Sequence, residues 1–507
     1  MLKKVQSHYE VATVLIHLME LLHLKNRLRS PLLRLPTETV VRILSFVMED
    51  MGPSRVWRSI FGSCYHIYCI MSTAAGLWWK VDFEWPRAAS VAFARSRGSP
   101  QAIVAHLESD PAPRVVMEHW REQHIFHGHR LHTLELYGIP SDIAHFSWIF
   151  ERSLPRLRHL TIRFSGPPSD EGDELPLPNS EAALIPVTVQ FPTDSPLQTL
   201  RLCNATLPWS SNLFTGLRQL YVDFEDCNAP MEITEDELFG ILEASPQLEQ
   251  LLLVQIGPRI LVWNNERQST HERTAQLPVL TFLRLGNSPE VVGYILAHIN
   301  TPAITFLRIH SRVFSQDVAR SLGLVVPDDH VQKRLLQNHP EFKIITVDGA
   351  LGTLFVNFGS LAMSFDFDLN DAEIISNTIL AHLLPLVPPS VTTLEINYSG
   401  LELGEPGWRN FFISHPEVRS IVCSNSSGEP MSELLWDALS HTGTDVVPPC
   451  PKLESISLSN DPASAGLLNC LLSRKNAGFK LKYLRATDVV NGLAGELSRL
   501  VKMLKAD

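Results

Sequence analysis

Apolar residues recur along this 507-residue chain with two different periods, and the change of period divides it. At the start, Val11, Leu15, Leu18 and Leu22 recur at spacings of four, three and four, which puts them on one face of an amphipathic helix within residues 1 to 30. The next position in that register is Lys25. The stripe therefore ends after about two heptads, short of a sustained coiled coil, and the helix is expected to pack against the next domain. A second helical pattern opens at Leu35-Pro36, with proline suited to a first helical turn. Val40, Ile43, Leu44 and Val47 then form one apolar face at i, i+3, i+4 and i+7. Gly52-Pro53 stops that helix. Val56, Trp57, Ile60 and Phe61 build a second, Gly62 breaks it, and Cys64, Ile67, Tyr68 and Met71 make a third, closed by Leu77 and Trp78. Roughly 45 residues are too few for an independent core, so a partner or neighbouring domain must cover part of this module.

From about residue 100 the period falls to two, in a recurring phrase L-x-x-L-x-L that is often preceded by proline. It runs LHTLEL from Leu131, PRLRHLTI from Pro155, PLQTLRL from Pro196, LRQLYV from Leu217, PQLEQLLL from Pro246 and PVLTFLRL from Pro278. It continues as PAITFLRI from Pro302, LGTLFV from Leu351, VTTLEI from Val391, PEVRSIV from Pro416, PKLESISL from Pro451 and LKYLRA from Leu481. Starts lie on the order of 20 to 47 residues apart, in or somewhat above the leucine-rich range. In each strand, L-x-L turns two apolar side chains inward and one polar side chain outward, and the next repeat buries the inner face. Helix candidates intervene, such as EDELFGILEAS over 235–245, with Thr234 as N-cap and Leu238, Ile241 and Leu242 as its stripe. The fold class predicted is α/β: a short all-helical module over residues 31 to 85, then parallel strands alternating with helices in a degenerate leucine-rich-repeat solenoid over 86 to 507. Asn204, Asn287 and Asn460 come two residues after the last leucine instead of three, so irregular turns are expected. Residues 165 to 196 are acidic and proline-rich and are predicted to be a mobile loop.

Composition narrows the function. A chain with 45% apolar and 19% charged residues folds and buries a core. A net charge of −11 opposes non-specific binding to nucleic acid or anionic lipid. Cys64, Cys69, Cys203, Cys227, Cys423, Cys450 and Cys470 include no CxxC pair, as expected of reduced thiols in the cytoplasm or nucleus. No uncharged apolar run reaches the roughly 18 residues of a membrane span, and no A-x-A-like site comes after the apolar start. Neither nucleic acid nor membrane is expected as a partner. His119, His124, His127, His129 and His132 are the densest group of possible metal ligands, but no cysteine lies near and their spacing does not repeat. Nucleotide, protease and hydrolase signatures are missing. No catalytic residue, cofactor or metal is expected, and the chain reads as a non-enzyme.

The series Leu35-Pro36-x-Glu38, Ile43-Leu44, Cys64, Leu77-Trp78 resembles the F-box. With the repeats downstream, and with FARSRGSPQAIVAHL over 93–107 similar to a helix-to-first-strand junction, the chain resembles the large fungal families of F-box proteins. The resemblance implies the substrate-recognition subunit of a Skp-cullin-F-box ubiquitin ligase. Such a subunit binds a Skp-family adaptor, and through it cullin and RING subunits, while its repeats bind a target protein for ubiquitin-dependent degradation. Carried over by position, the adaptor-binding residues are Leu35, Pro36, Glu38, Ile43, Leu44 and Val47, with Leu77 and Trp78 in support. The family's basic residue and tryptophan in the third helix are here Tyr65 and Ile67. That departure keeps open a repeat protein acting as an interaction scaffold without a ligase.

Overall fold

The computed structural model describes residues 30–51, 65–82, 86–96, 101–106, 128–139, 146–150, 154–164, 197–205, 207–209, 212–224, 231–258, 273–312, 344–350, 353–358, 361–366, 391–398, 405–425, 433–440, 447–489, 499–501 and 503–506, with single positions 17, 18, 21, 24, 25, 118, 121, 143 and 497. The chain forms two compact units, Met1–Gly216 and Leu217–Asp507, so the helical module and the first strands share one unit. Val11, Leu15, Leu22, the helix predicted around Val56, Trp57, Ile60 and Phe61, and the acidic stretch 165–196 lie outside the described residues. Leu18 of the predicted N-terminal stripe is helical and 52% exposed.

In the first unit, α1 (Thr37–Met51), α2 (Tyr65–Thr73) and a short 3-10 turn (Ala75–Trp78) lead directly into β1 (Lys80–Asp82). Then come α3 (Pro86–Arg95), β2 (Gln101–His106), β3 (Leu131–Gly138), α4 (Ser147–Phe150), β4 (His159–Phe164) and β5 (Thr199–Cys203). Each of these strands pairs in parallel with the next. The junction predicted over 93–107 is α3 running into β2, with the short β1 paired ahead of it. Leu134, Leu136, Leu160, Ile162, Leu200 and Leu202 are buried, as the alternation demands.

In the second unit, the chain runs β6 (Gln219–Asp223), β7 (Met231–Ile233), α5 (Glu235–Ala244), β8 (Gln250–Val254), β9 (Ile256–Pro258), β10 (Ala275–Gln276), β11 (Phe282–Gly286), α6 (Pro289–Ala297), β12 (Ile299–Asn300) and β13 (Phe306–Arg312). It continues with β14 (Ile344–Ala350), β15 (Thr353–Phe358), β16 (Leu361–Asp366), β17 (Thr393–Tyr398), α7 (Glu405–Ser414), β18 (Ser420–Asn425), α8 (Glu433–Leu439), β19 (Ser455–Ala463), α9 (Ala465–Asn476), β20 (Tyr483–Val489) and β21 (Met503–Ala506). The series β6, β8, β11, β13 and the series β17 to β21 are parallel. Every copy of the leucine phrase contains a strand.

One copy departs from the predicted parallel array. Strand β15, in the phrase from Leu351, runs antiparallel to both β14 and β16, and this meander joins β13 to β17. The cause is link length. About two residues separate β14 from β15 and β15 from β16, enough for a hairpin, whereas a parallel return needs a dozen or more.

The proline in the phrase has a structural role. Leu157, Leu248, Leu280, Ile304, Val418 and Leu453 each donate a backbone N–H to the carbonyl three residues back, closing a turn around Pro155, Pro246, Pro278, Pro302, Pro416 and Pro451. Proline presets φ at the second position of such a turn, and the apolar fourth residue is buried every time. The next residue then donates to the preceding repeat, as Arg158 does to His132 and Glu454 to Arg419, which fixes strand register. Asn204 takes φ +54 just past β5 and donates its side-chain amide to the Phe164 carbonyl at 3.3 Å. Helix α5 has the predicted cap: Thr234 Oγ1 accepts from the Glu237 N–H, and Glu237 returns the bond to the Thr234 N–H. Among the described residues, no helix is long and apolar enough to cross a membrane.

A candidate protein-docking strip on the helical module

The chain enters the module through a single 3-10 turn, Leu32–Arg34, in which Arg34 and Leu35 donate to Pro31 and Leu32. The Pro36 carbonyl accepts the first bond of α1, from Val40. At about 100° per residue, the apolar positions Phe46, Ile43, Val47, Val40 and Leu44 span an arc of roughly 160° around that helix. This is wider than the side that the module buries. Val40 and Leu44, at one edge, are sealed inside with Ile67, Ile70, Met71, Leu77 and Trp78. Ile43 and Phe46, at the other edge, are exposed, and Val47 is half-buried between them.

The predicted site residues therefore fall into two sets. Leu35, Pro36, Glu38 and Ile43 present themselves at the surface. Leu44, Leu77 and Trp78, at 4%, 0% and 1% exposure, belong to the interior and cannot meet a partner directly. Trp78 donates its indole N–H to the Met71 carbonyl at 2.5 Å, and the Arg95 guanidinium of α3 lies 4.9 Å from its ring. It thus ties the 3-10 turn to α2 and α3. Ile67 is likewise a core residue.

Phe46, which is 60% exposed, extends the strip and was missed by reasoning from the sequence. Its signal was its place three residues beyond Ile43, outside the i, i+3, i+4, i+7 stripe that marks the buried side. With Leu32, Leu35 and Ile43 it makes an exposed set of large apolar side chains, rimmed by Glu38 and Arg42. The strip offers hydrophobic area and no chemistry: it can hold another protein but cannot transform a substrate.

Of the predicted histidine group, His119, His124 and His127 lie outside the described residues. His132 sits on β3 with its ring centroid 5.3 Å from that of His159 on β4. Burial comes first in holding both rings below the usual histidine range, with the Arg158 charge adding to it. No group of three or more potential metal ligands occurs among the described residues. No protein-family model matches the chain, and no curated protein is significantly similar to it.

Proposed function

We propose that this protein is a substrate-recognition subunit of a Skp-cullin-F-box ubiquitin ligase, with an F-box over residues 31 to 85 and a degenerate leucine-rich-repeat solenoid after it. The observation that carries this reading is the set Leu32, Leu35, Ile43 and Phe46, left exposed while Val40, Leu44, Ile67, Ile70, Met71, Leu77 and Trp78 of the same module are buried. A Skp-family adaptor is the partner such a strip would serve, over an interface of roughly 800 Å² on each side. The mechanism is tethering. A target held by the repeats gains effective concentration near the ubiquitin-carrying subunit without a catalytic group in this chain.

The test is co-purification of the full chain with a purified Skp-family adaptor. Leu35→Asp with Phe46→Asp alters exposed positions, so stability should change by about 0.5 kcal/mol or less at each. Binding should fall by roughly 30-fold or more if Phe46 is an anchor worth about 2 kcal/mol. Binding that survives this double substitution would overturn the assignment. Leu44→Asp is unsuited, because an unpaired carboxylate at that buried position would unfold the module.

A scaffold acting without a ligase is the second reading. It is favoured by Ile67, since the position that carries an aromatic anchor in the family is spent here on the core. Loss of all adaptor binding by the unaltered chain would select it.

A further inference from the structure

Among the described residues, a hydroxyl residue stands directly before proline at Ser30, Ser245, Ser288 and Thr301, and their surroundings differ. Ser245 and Thr301 are buried, at 1% and 4% exposure. Ser288 is exposed, but the three residues before it, Leu285, Gly286 and Asn287, carry no charge. Ser30 is partly exposed and closes the run Lys25-Asn26-Arg27-Leu28-Arg29-Ser30-Pro31, which holds cations at 25, 27 and 29 and no carboxylate. On a chain of net charge −11, that run reverses the sign locally. Proline disfavours helical backbone in the residue before it, and Ser30 lies in neither helix nor strand. Two residues on, Leu32 opens the exposed apolar set. Chain geometry puts it within about 7 Å of Ser30 at the backbone, inside the roughly 8 Å over which a charge acts before salt screens it.

We infer that Ser30 is a phosphorylation site for a proline-directed serine/threonine kinase, and that the phosphate releases the docking strip from its partner. In the transfer, the Ser30 Oγ bonds to the γ-phosphorus of ATP as the bond from that phosphorus to the β-bridging oxygen breaks. ADP leaves, and the hydroxyl proton passes to the kinase's aspartate base. The flanks explain the recognition. Pro31 favours the extended form at Ser30 that a kinase cleft holds, and brings no N–H that would need a partner there. Arg27 and Arg29 supply guanidiniums of the kind that pair with carboxylates of such a cleft. The product carries about −1.5 to −2 charge. Before modification, a partner covering Leu32 and Leu35 meets a small neutral hydroxyl at their edge. Afterwards it must strip water from a phosphate to make the same contact. The inference rests on the receptor reading, and it names how that docking surface is switched.

The experiment treats the full chain with a purified proline-directed kinase and magnesium ATP, maps the phosphate by mass spectrometry, and titrates a purified Skp-family adaptor before and after. Ser30 should be labelled in preference to Ser288, and the labelled chain should bind the adaptor at least about tenfold more weakly. Removing the phosphate with a phosphatase should restore binding. Ser30→Ala should bind like the parent and lose nothing on kinase treatment, while Ser30→Asp, with a smaller charge, should fall between. The inference is overturned if Ser30 stays unlabelled while a control substrate of the same kinase is turned over. It is also overturned if the labelled chain binds as tightly as the parent or more so. Binding by the unlabelled chain reports the receptor reading separately: its absence would overturn that reading and the switch with it, whereas binding that labelling leaves unchanged would overturn the switch alone.

Discussion

Replacing Arg474 should loosen three consecutive helices of the second unit. This side chain is 2% exposed, near the end of α9. It donates to the Leu439 carbonyl at 3.3 Å, the Pro449 carbonyl at 2.6 Å and the Cys450 carbonyl at 2.8 Å. Leu439 closes α8, so the guanidinium meets the negative end of that helix dipole. Cys450 sits at φ +47, and its thiol lies 3.6 Å from the Phe412 carbonyl and 3.5 Å from the His415 carbonyl at the end of α7. One cation thus pins the turn that links α7, α8 and α9. A hydrogen bond from a charged donor contributes about 1.5–3 kcal/mol, but water would recover part of it and the three bonds are not additive. Arg474→Met, which keeps much of the volume, should therefore cost about 3 kcal/mol, and Arg474→Ala about 1 kcal/mol more for the cavity. Hydrogen exchange read by mass spectrometry on the full chain reports this locally. Amides of 433–440 and 447–453 should exchange about a hundredfold faster in Arg474→Met. Exchange within a factor of about three of the parent would show that the carbonyls do not depend on the cation, and the reasoning would fail.

Two further outcomes rest on the same physics. Thr234→Ala removes the acceptor half of the capping box on α5 and should cost about 1 kcal/mol in denaturant unfolding, while Thr234→Ser should be close to neutral. Burial pushes the Cys450 thiol up to about 12 and the Cys470 thiol up to about 11. In the folded chain at pH 8 both should therefore resist a thiolate-directed alkylating reagent mapped by mass spectrometry, whereas half-buried Cys69 and Cys203 should react first.

The alternation in L-x-L, the proline before it and the Thr-x-x-Glu cap each act within a few residues, so the strands, the turns ahead of them and the start of α5 were legible in the sequence. Leu160 and Ile162, or Leu283 and Leu285, are apolar because they face inward, and a period of two carries that without reference to anything distant. Tertiary packing decided which edge of an over-wide apolar arc is used. Val40 and Phe46 are both apolar residues of α1, yet one is sealed inside with Trp78 and the other lies open, a difference set by where α2 and the 3-10 turn settle. Packing likewise brought Arg474 to carbonyls 24 to 35 residues away. Local periodicity encodes the face a residue prefers; only the folded chain determines whether another part of the molecule has already taken that face.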